Sequence, residues 1–301
     1  SFTLFCLGSY LIGCLLGFGQ LYRFAAIETT PEEHKARAVS LVLFGGMLSG
    51  ILGPGIAFVT KDWVEGAPFM GSYQSLIGLY VVVFLLLQLV DLPKPTANEQ
   101  QPRTRPFCEI TRQTTWKISL LSAALGYAAM ALIMTATPLS MQAHHHSFSA
   151  SAFVIQWHVI AMFMPSFFTG NLIQRFGSKN IMLVGIGLNL LCILINTQGQ
   201  FFLSYWSALI LLGVGWNFMF IAGTTLLTET YRPEEKALVQ GVNDVLVFGA
   251  AASGSLLAGV LQNQIGWETL NMVVAPPLLL LAGWLLWLKR GRGILVQQPI
   301  H

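Results

Sequence analysis

Nine apolar runs of about 20 residues succeed one another along this 301-residue chain, near residues 2–27, 37–60, 72–91, 116–138, 151–173, 178–196, 202–226, 238–261 and 269–288. A helix rises about 1.5 Å per residue, so about 20 apolar residues cross a hydrocarbon core of about 30 Å. No water reaches the backbone there, and helices that satisfy their own amides are one of the two structures able to span. The pattern predicts an all-α polytopic membrane protein. Only 10% of residues are charged, against about 25% in a soluble domain, and the mean hydropathy is +0.64.

The connections alternate in charge. One set carries Arg23, Lys35 and Arg37; then Lys94, Arg103, Arg105, Arg112 and Lys117; then Arg175 and Lys179; then Arg232 and Lys236; then Lys289, Arg290 and Arg292. The other set carries only Lys61. Basic residues stay on the cytoplasmic side, which places the C-terminus in the cytoplasm and Ser1 outside.

An internal repeat runs at an offset of about 200 residues. Leu-Leu-Gly-Phe-Gly at 15–19 returns as Leu-Leu-Gly-Val-Gly at 211–215, and Pro31-Glu32-Glu33 returns as Pro233-Glu234-Glu235. Phe44-Gly45-Gly46 through Gly50 returns as Phe248-Gly249-Ala250 through Gly254. Parallel repeats about an axis along the membrane normal are one transporter design. The second copy holds six runs and the first only three, so the repeat predicts nine visible spans of twelve. The domains follow: 1–91 as spans four to six, closing the N-terminal half; 92–115 as a polar cytoplasmic linker; and 116–301 as a six-helix C-terminal half. Small residues crowd both repeat mates of one helix, where backbones approach closely, and Gly53-Pro54-Gly55 predicts a kink.

One pair of consecutive spans carries unusual side chains. Met130 and Met134 lie four apart on one helical face, and His158 and Met162 do the same on the next span. Both pairs fall near mid-span, so antiparallel helices bring them to similar depth. Thioethers are soft ligands that select Cu(I), and imidazole binds either copper state. A histidine inside a span is a functional-site hypothesis by default. Met141 and the run His144-His145-His146, in the outer connection, form a metal-gathering entrance. Arg175 and Lys179 sit at helix ends where pairing with Asp244 or Glu229 would gate the inner side. Asn217, beside Trp216, either lines the same cavity or joins helices.

Enzyme chemistry finds no support. No phosphate-binding glycine loop, zinc-protease helix or nucleophile elbow is present. The basic residues are dispersed among short membrane-flanking loops, which argues against nucleic-acid binding.

The repeated half, the Gly-Pro-Gly helix and the loop Gly170-Asn171-Leu172-Ile173-Gln174-Arg175-Phe176-Gly177 resemble the major facilitator superfamily. That loop lacks the usual acidic residue before Arg175. Within the superfamily, Met130 and Met134 followed by His158 and Met162 resemble the bacterial CcoA-type copper importers. The resemblance implies that these four residues hold a transported copper ion, with Cu(I) as cargo and no resident cofactor. It implies import across the bacterial inner membrane to supply cbb3-type cytochrome c oxidase assembly. The implied partners are the lipid bilayer and a copper chaperone, and the implied state is a monomer. Two other readings stand beside it. One is a carrier of a small organic solute such as riboflavin or a drug, with a cavity lined by Trp157, Trp216 and phenylalanines. The other is a copper-binding assembly factor that does not transport.

Overall fold

The structure is a computed structural model that describes residues 2–28, 35–89 and 105–295; the side chains at 16, 20–44, 47, 233 and 290–295 lie outside the described set. Arg23, Lys35, Arg37, Lys94, Arg103, Arg290 and Arg292, the motif at 31–33 and most of the 92–115 linker therefore fall outside it, by side chain or altogether.

Among the described residues the chain is helical: α1 (Phe2–Glu28), α2 (Lys35–Thr60), α3 (Met70–Leu87), α4 (Phe107–Arg112), α5 (Thr114–Ala143), α6 (Phe148–Phe163), α7 (Ser166–Phe176), α8 (Ser178–Gln198), α9 (Phe202–Leu227) and α10 (Lys236–Leu295). Six of the described helices are long and apolar enough to cross a membrane, or seven if the bent pair α6–α7 is one span. This corrects the expectation of nine spans out of twelve. The apolar described part of α2, Leu48–Thr60, is too short to qualify. The runs at 238–261 and 269–288 both lie on α10, which is two helices meeting at a kink where Gly266 is non-helical (φ 76°, ψ 171°), and together they count as one of the six. The run at 151–173 is broken after Phe163 and bends by 43°.

The chain divides into two compact units, residues 1–52 with 56–99, and residues 53–55 with 100–301. In the first, α2 and α3 form a hairpin. The Phe69 amide closes its turn on the Lys61 carbonyl at 2.7 Å, and Thr60 Oγ1 donates to Ser72 Oγ at 3.0 Å. Gly71 sits so close to the Thr60 carbonyl that no Cβ fits.

In the second unit α9 is the central helix, packed against α5, α6 and α8. Lipid offers no hydrophobic drive between helices, so association rests on close packing and interhelical hydrogen bonds. A Cβ on Gly213 would lie 2.8 Å from the His158 carbonyl and 3.0 Å from the Met162 amide. On Gly215 it would lie 2.9 Å from the Gly185 carbonyl. Hydroxyls reinforce the seam with α5: Ser119 Oγ donates to the Gly223 carbonyl at 2.6 Å and Ser122 Oγ to the Met219 carbonyl at 2.9 Å. Asn196 Nδ2 ties α8 to α10 through Asn271 Oδ1 at 2.8 Å.

The break between α6 and α7 has a defined cause. Pro165 supplies no amide and ends the helical ladder. Asn217 of α9 takes up what the break releases: its Nδ2 donates to the Met162 carbonyl at 2.7 Å and to Ser166 Oγ at 2.6 Å. Its Oδ1 accepts from Thr169 Oγ1 at 2.8 Å. Asn217 thus joins helices, which settles the alternatives left by sequence.

Helix α4 lies inside the stretch expected as linker, with Ile110 buried against Trp116, Leu227 and Val239. Arg105, just before it, forks onto Glu235. Nε reaches Oε1 at 2.9 Å and a terminal nitrogen reaches Oε2 at 2.7 Å. The Arg105 and Arg232 amides also donate to this carboxylate, at 3.0 and 2.9 Å. Glu235 is 2% exposed. The Arg105 guanidinium holds its carboxyl down at about 2, with the Arg232 amide assisting.

Three outcomes follow from this packing. Gly213→Leu drives a side chain into fixed backbone of α6 and destabilises the unit by about 1–3 kcal/mol, read as a lower thermal unfolding midpoint. Asn217→Leu strands the Met162 carbonyl and costs about 1–3 kcal/mol in the same assay. Because the Glu235 pKa is depressed in the fold, the clasp stabilises fully above the unfolded carboxyl range of about 4.3, and this is lost as pH falls toward about 2. Wild type is therefore more stable than Glu235→Gln at neutral pH, and the gap closes on acidification.

Candidate functional site

The middle of α5, α6 and α9 contains the side chains singled out by sequence. Met130 is 3% exposed and lies in the main apolar core, as does Met162; Met134 is half-buried against it. His158 is fully buried, and its Nδ1–H donates to the Leu209 carbonyl of α9 at 2.7 Å. That bond fixes the tautomer of the neutral ring and leaves Nε2 as a buried acceptor without a hydrogen-bond partner. Helix α6 packs mainly on α9 and only slightly on α5. The helix carrying His158 and Met162 is thus seated on α9 more than on the helix of Met130 and Met134. All three thioethers lie in or against the main apolar cluster.

Met141 does not lie in the outer connection. Helix α5 continues to Ala143, and Met141 is fully buried in its last turn. The three histidines follow. His144 Nδ1 donates to the Ser140 carbonyl at 2.7 Å, and His146 Nε2 donates to the Gln200 carbonyl at 2.9 Å. His145 is exposed with a left-handed backbone (φ 61°). With Gln200 and Glu268 they border a cleft of about 720 Å3. His146 thus pins the α5–α6 turn to the α8–α9 turn, while His144 folds back onto the last turn of its own helix.

On the opposite face, Arg175 lies over the Phe176 ring, 5.2 Å from its centre. Asp244 accepts from the neighbouring Asn243 at 3.4 Å. The carboxylate with a strong guanidinium partner on this face is Glu235. Its motif stood out in the repeat, but its pairing with a residue 130 positions away did not.

A second mid-depth cluster is aromatic, and sequence reasoning touched it only through Trp216. Tyr127 lies near the middle of α5, Trp216 and Phe220 on α9, Phe248 on α10 before its break, and Phe163 at the end of α6. Trp216 and Phe220 stack nearly parallel, 5.1 Å between centres and 8° between planes. Tyr127 stands edge-on to Trp216, Phe220 and Phe248, at 5.2, 5.6 and 5.5 Å. Phe163 meets the edge of Trp216 at 6.3 Å. A ring every fourth residue on α9 is the only signal the sequence offers for this group.

Among the described residues no group of three or more His, Cys, Asp or Glu side chains is arranged to hold a metal ion. The expected copper cargo, the metal-binding description and the supply of an oxidase are corrected by this finding and by the relatives.

The Major Facilitator Superfamily profile matches residues 1–243 and 119–295. The riboflavin transporter RfnT of Brucella anthropi is 40% identical over 278 residues, which is 92% of this chain and 70% of that protein. Two uncharacterized MFS-type transporters of Bacillus subtilis, YdeG and YddS, are 29% and 28% identical, over 90% and 89% of this chain and 66% and 65% of their own lengths. The chain therefore spans about two thirds of the length of the curated relatives it matches. None of these names refers to copper. With a profile match over most of its length, several membrane-crossing helices and a 40% identical relative, the chain belongs to the Major Facilitator Superfamily, a family of membrane transporters rather than enzymes.

Proposed function

We propose that the protein is a secondary carrier for a neutral small organic solute, with riboflavin as the first candidate cargo. The observation that carries this reading is the 40% identity to a riboflavin transporter across 92% of the chain. The chemistry of the second unit agrees with it. Helices α6 and α9 contain no Asp, Glu, Lys or Arg, and α5 and α8 contain only Lys117 and Lys179, near their starts. Their middles present rings, amides and hydroxyls. Charge inside a membrane marks ion pathways, whereas an uncharged aromatic lining suits an uncharged solute bound mostly by apolar contact with a few polar groups fixing its orientation.

The carrier sits in the bacterial inner membrane with its C-terminus in the cytoplasm. The halves are 1–91 and 116–301, joined by 92–115, and the carrier exposes the solute to each side of the membrane in turn. Met130, Met134, His158 and Met162 take no metal in this reading. They are core and seam residues that keep the mid-depth surface of this unit in shape.

Proteoliposomes carrying the protein accumulate radiolabelled riboflavin with saturation, excess unlabelled riboflavin abolishes the signal, and a Cu(I) chelator leaves it unchanged. Uptake no greater than in protein-free vesicles removes the proposal.

A further inference from the structure

The aromatic cluster of α5, α6, α9 and α10 lies at the edge of the main core and combines two properties. First, it is half open. Trp216 is 5% exposed and forms the floor, while Tyr127, Phe163, Phe220 and Phe248 are each only partly buried. These rings come from four helices. Together they make one partly open aromatic surface. Second, the floor has an unanswered donor. Trp216 Nε1–H is buried and has no hydrogen-bond partner. Indole is a donor only, and a buried donor without an acceptor is costly. Trp116, Trp206 and Trp267 share the unpaired N–H, but none of them stacks with a second ring as Trp216 does with Phe220.

We infer that this cluster is the stacking site for the cargo, and that its ligand class is a neutral planar heteroaromatic carrying carbonyl or ring-nitrogen acceptors. This rests on the organic-solute reading above and adds where and how the solute is held. The stacked pair Trp216 and Phe220 sets the direction of the ring planes. Tyr127 stands perpendicular to both and offers its edge to the ligand plane, the arrangement that aromatic quadrupoles favour. The Trp216 N–H supplies orientation, because a ligand acceptor placed on it removes the unpaired donor. An aliphatic or polyol solute answers neither feature.

The test uses the purified protein in lipid nanodiscs and flavin fluorescence as the readout. Riboflavin is titrated directly, and lumichrome (the ring system without its chain) and ribitol (the chain's polyol) are tested as competitors. Binding quenches the flavin, lumichrome competes and ribitol does not. Stacking of a base on an aromatic side chain contributes about 1–3 kcal/mol, so Phe220→Leu and Tyr127→Leu each raise the riboflavin Kd about tenfold. Phe220→Tyr, which keeps a ring, weakens binding less than Phe220→Leu. Trp216→Phe keeps the floor but removes the N–H, and it narrows the preference for riboflavin over an analogue lacking ring carbonyls. Phe201→Leu, at the exposed start of α9, binds as wild type does. Each variant is accepted only with a wild-type elution profile and unfolding midpoint. Wild type that binds riboflavin, with ring variants that bind it equally well or ribitol as the effective competitor, overturns the stacking site and leaves the carrier reading standing. Wild type that binds neither riboflavin nor lumichrome overturns both.

Discussion

Backbone against backbone, along α9, is the constraint on which the second unit depends. Water is the usual source of attraction between apolar surfaces, and lipid removes it. Helices then associate by how closely their atoms approach and by whether polar groups find partners. Gly213 and Gly215 bring α9 against α6 and α8 at distances a single methyl group would prevent. The helix so placed then dictates where the other elements go. His158 meets the Leu209 carbonyl because Gly213 lets α6 come down onto α9.

Some polar residues of the spans act as seams between helices. Four serine, asparagine and histidine side chains of the second unit reach backbone carbonyls on a neighbouring helix, while others bond back onto their own helix or pair with one another, as Asn196 does with Asn271. The four are Ser119, Ser122, His158 and Asn217. A helix already satisfies its own ladder, but each carbonyl keeps a second lone pair, so such bonds add cohesion without breaking the helix. Asn217 makes its bond at the break itself, where its amide donates to the Met162 carbonyl in the turn that Pro165 interrupts. The bend of α6–α7 is thereby a fixed feature with a named donor and acceptor at its centre. What remains unsatisfied at this depth, the Trp216 N–H above all, lies where the proposed solute would come to rest.

Charge is kept to the ends. The Arg105–Glu235 clasp joins the segment before α5 to the turn between α9 and α10, with the short helix α4 tucked beside it. A planar guanidinium fork on a carboxylate is geometrically specific in a way that a lysine contact is not. The clasp fixes where the polar connection meets this unit, far from the uncharged middle where the cargo is proposed to bind.

Much of the architecture was legible in the chain itself. Apolar length, the one-sided basic residues and the glycine-rich loop at 170–177 pointed to a polytopic carrier of this superfamily, and the family match agrees. The count of spans was less legible, because hydropathy does not show how closely 238–261 and 269–288 follow one another across the kink at Gly266 or that α6 stops at Phe163. The cargo was misread for a physical reason. Methionine spaced four apart looks the same in sequence whether the thioethers face a metal or fill a core, and it was the relatives, none of them named for copper, that spoke against that cargo. Histidine in a span announces a partner but not which one, and the partner proved to be a carbonyl 51 residues away. Rings at 127, 163, 216, 220 and 248 are ordinary in a chain with 12% aromatics. Their meeting depends on four helices crossing at one depth. The sequence alone determined that this chain must be a bundle of membrane helices, since transfer free energy is a local property of composition. Only the tertiary structure decided which side chains share a place, since that depends on backbone approach between helices distant along the chain.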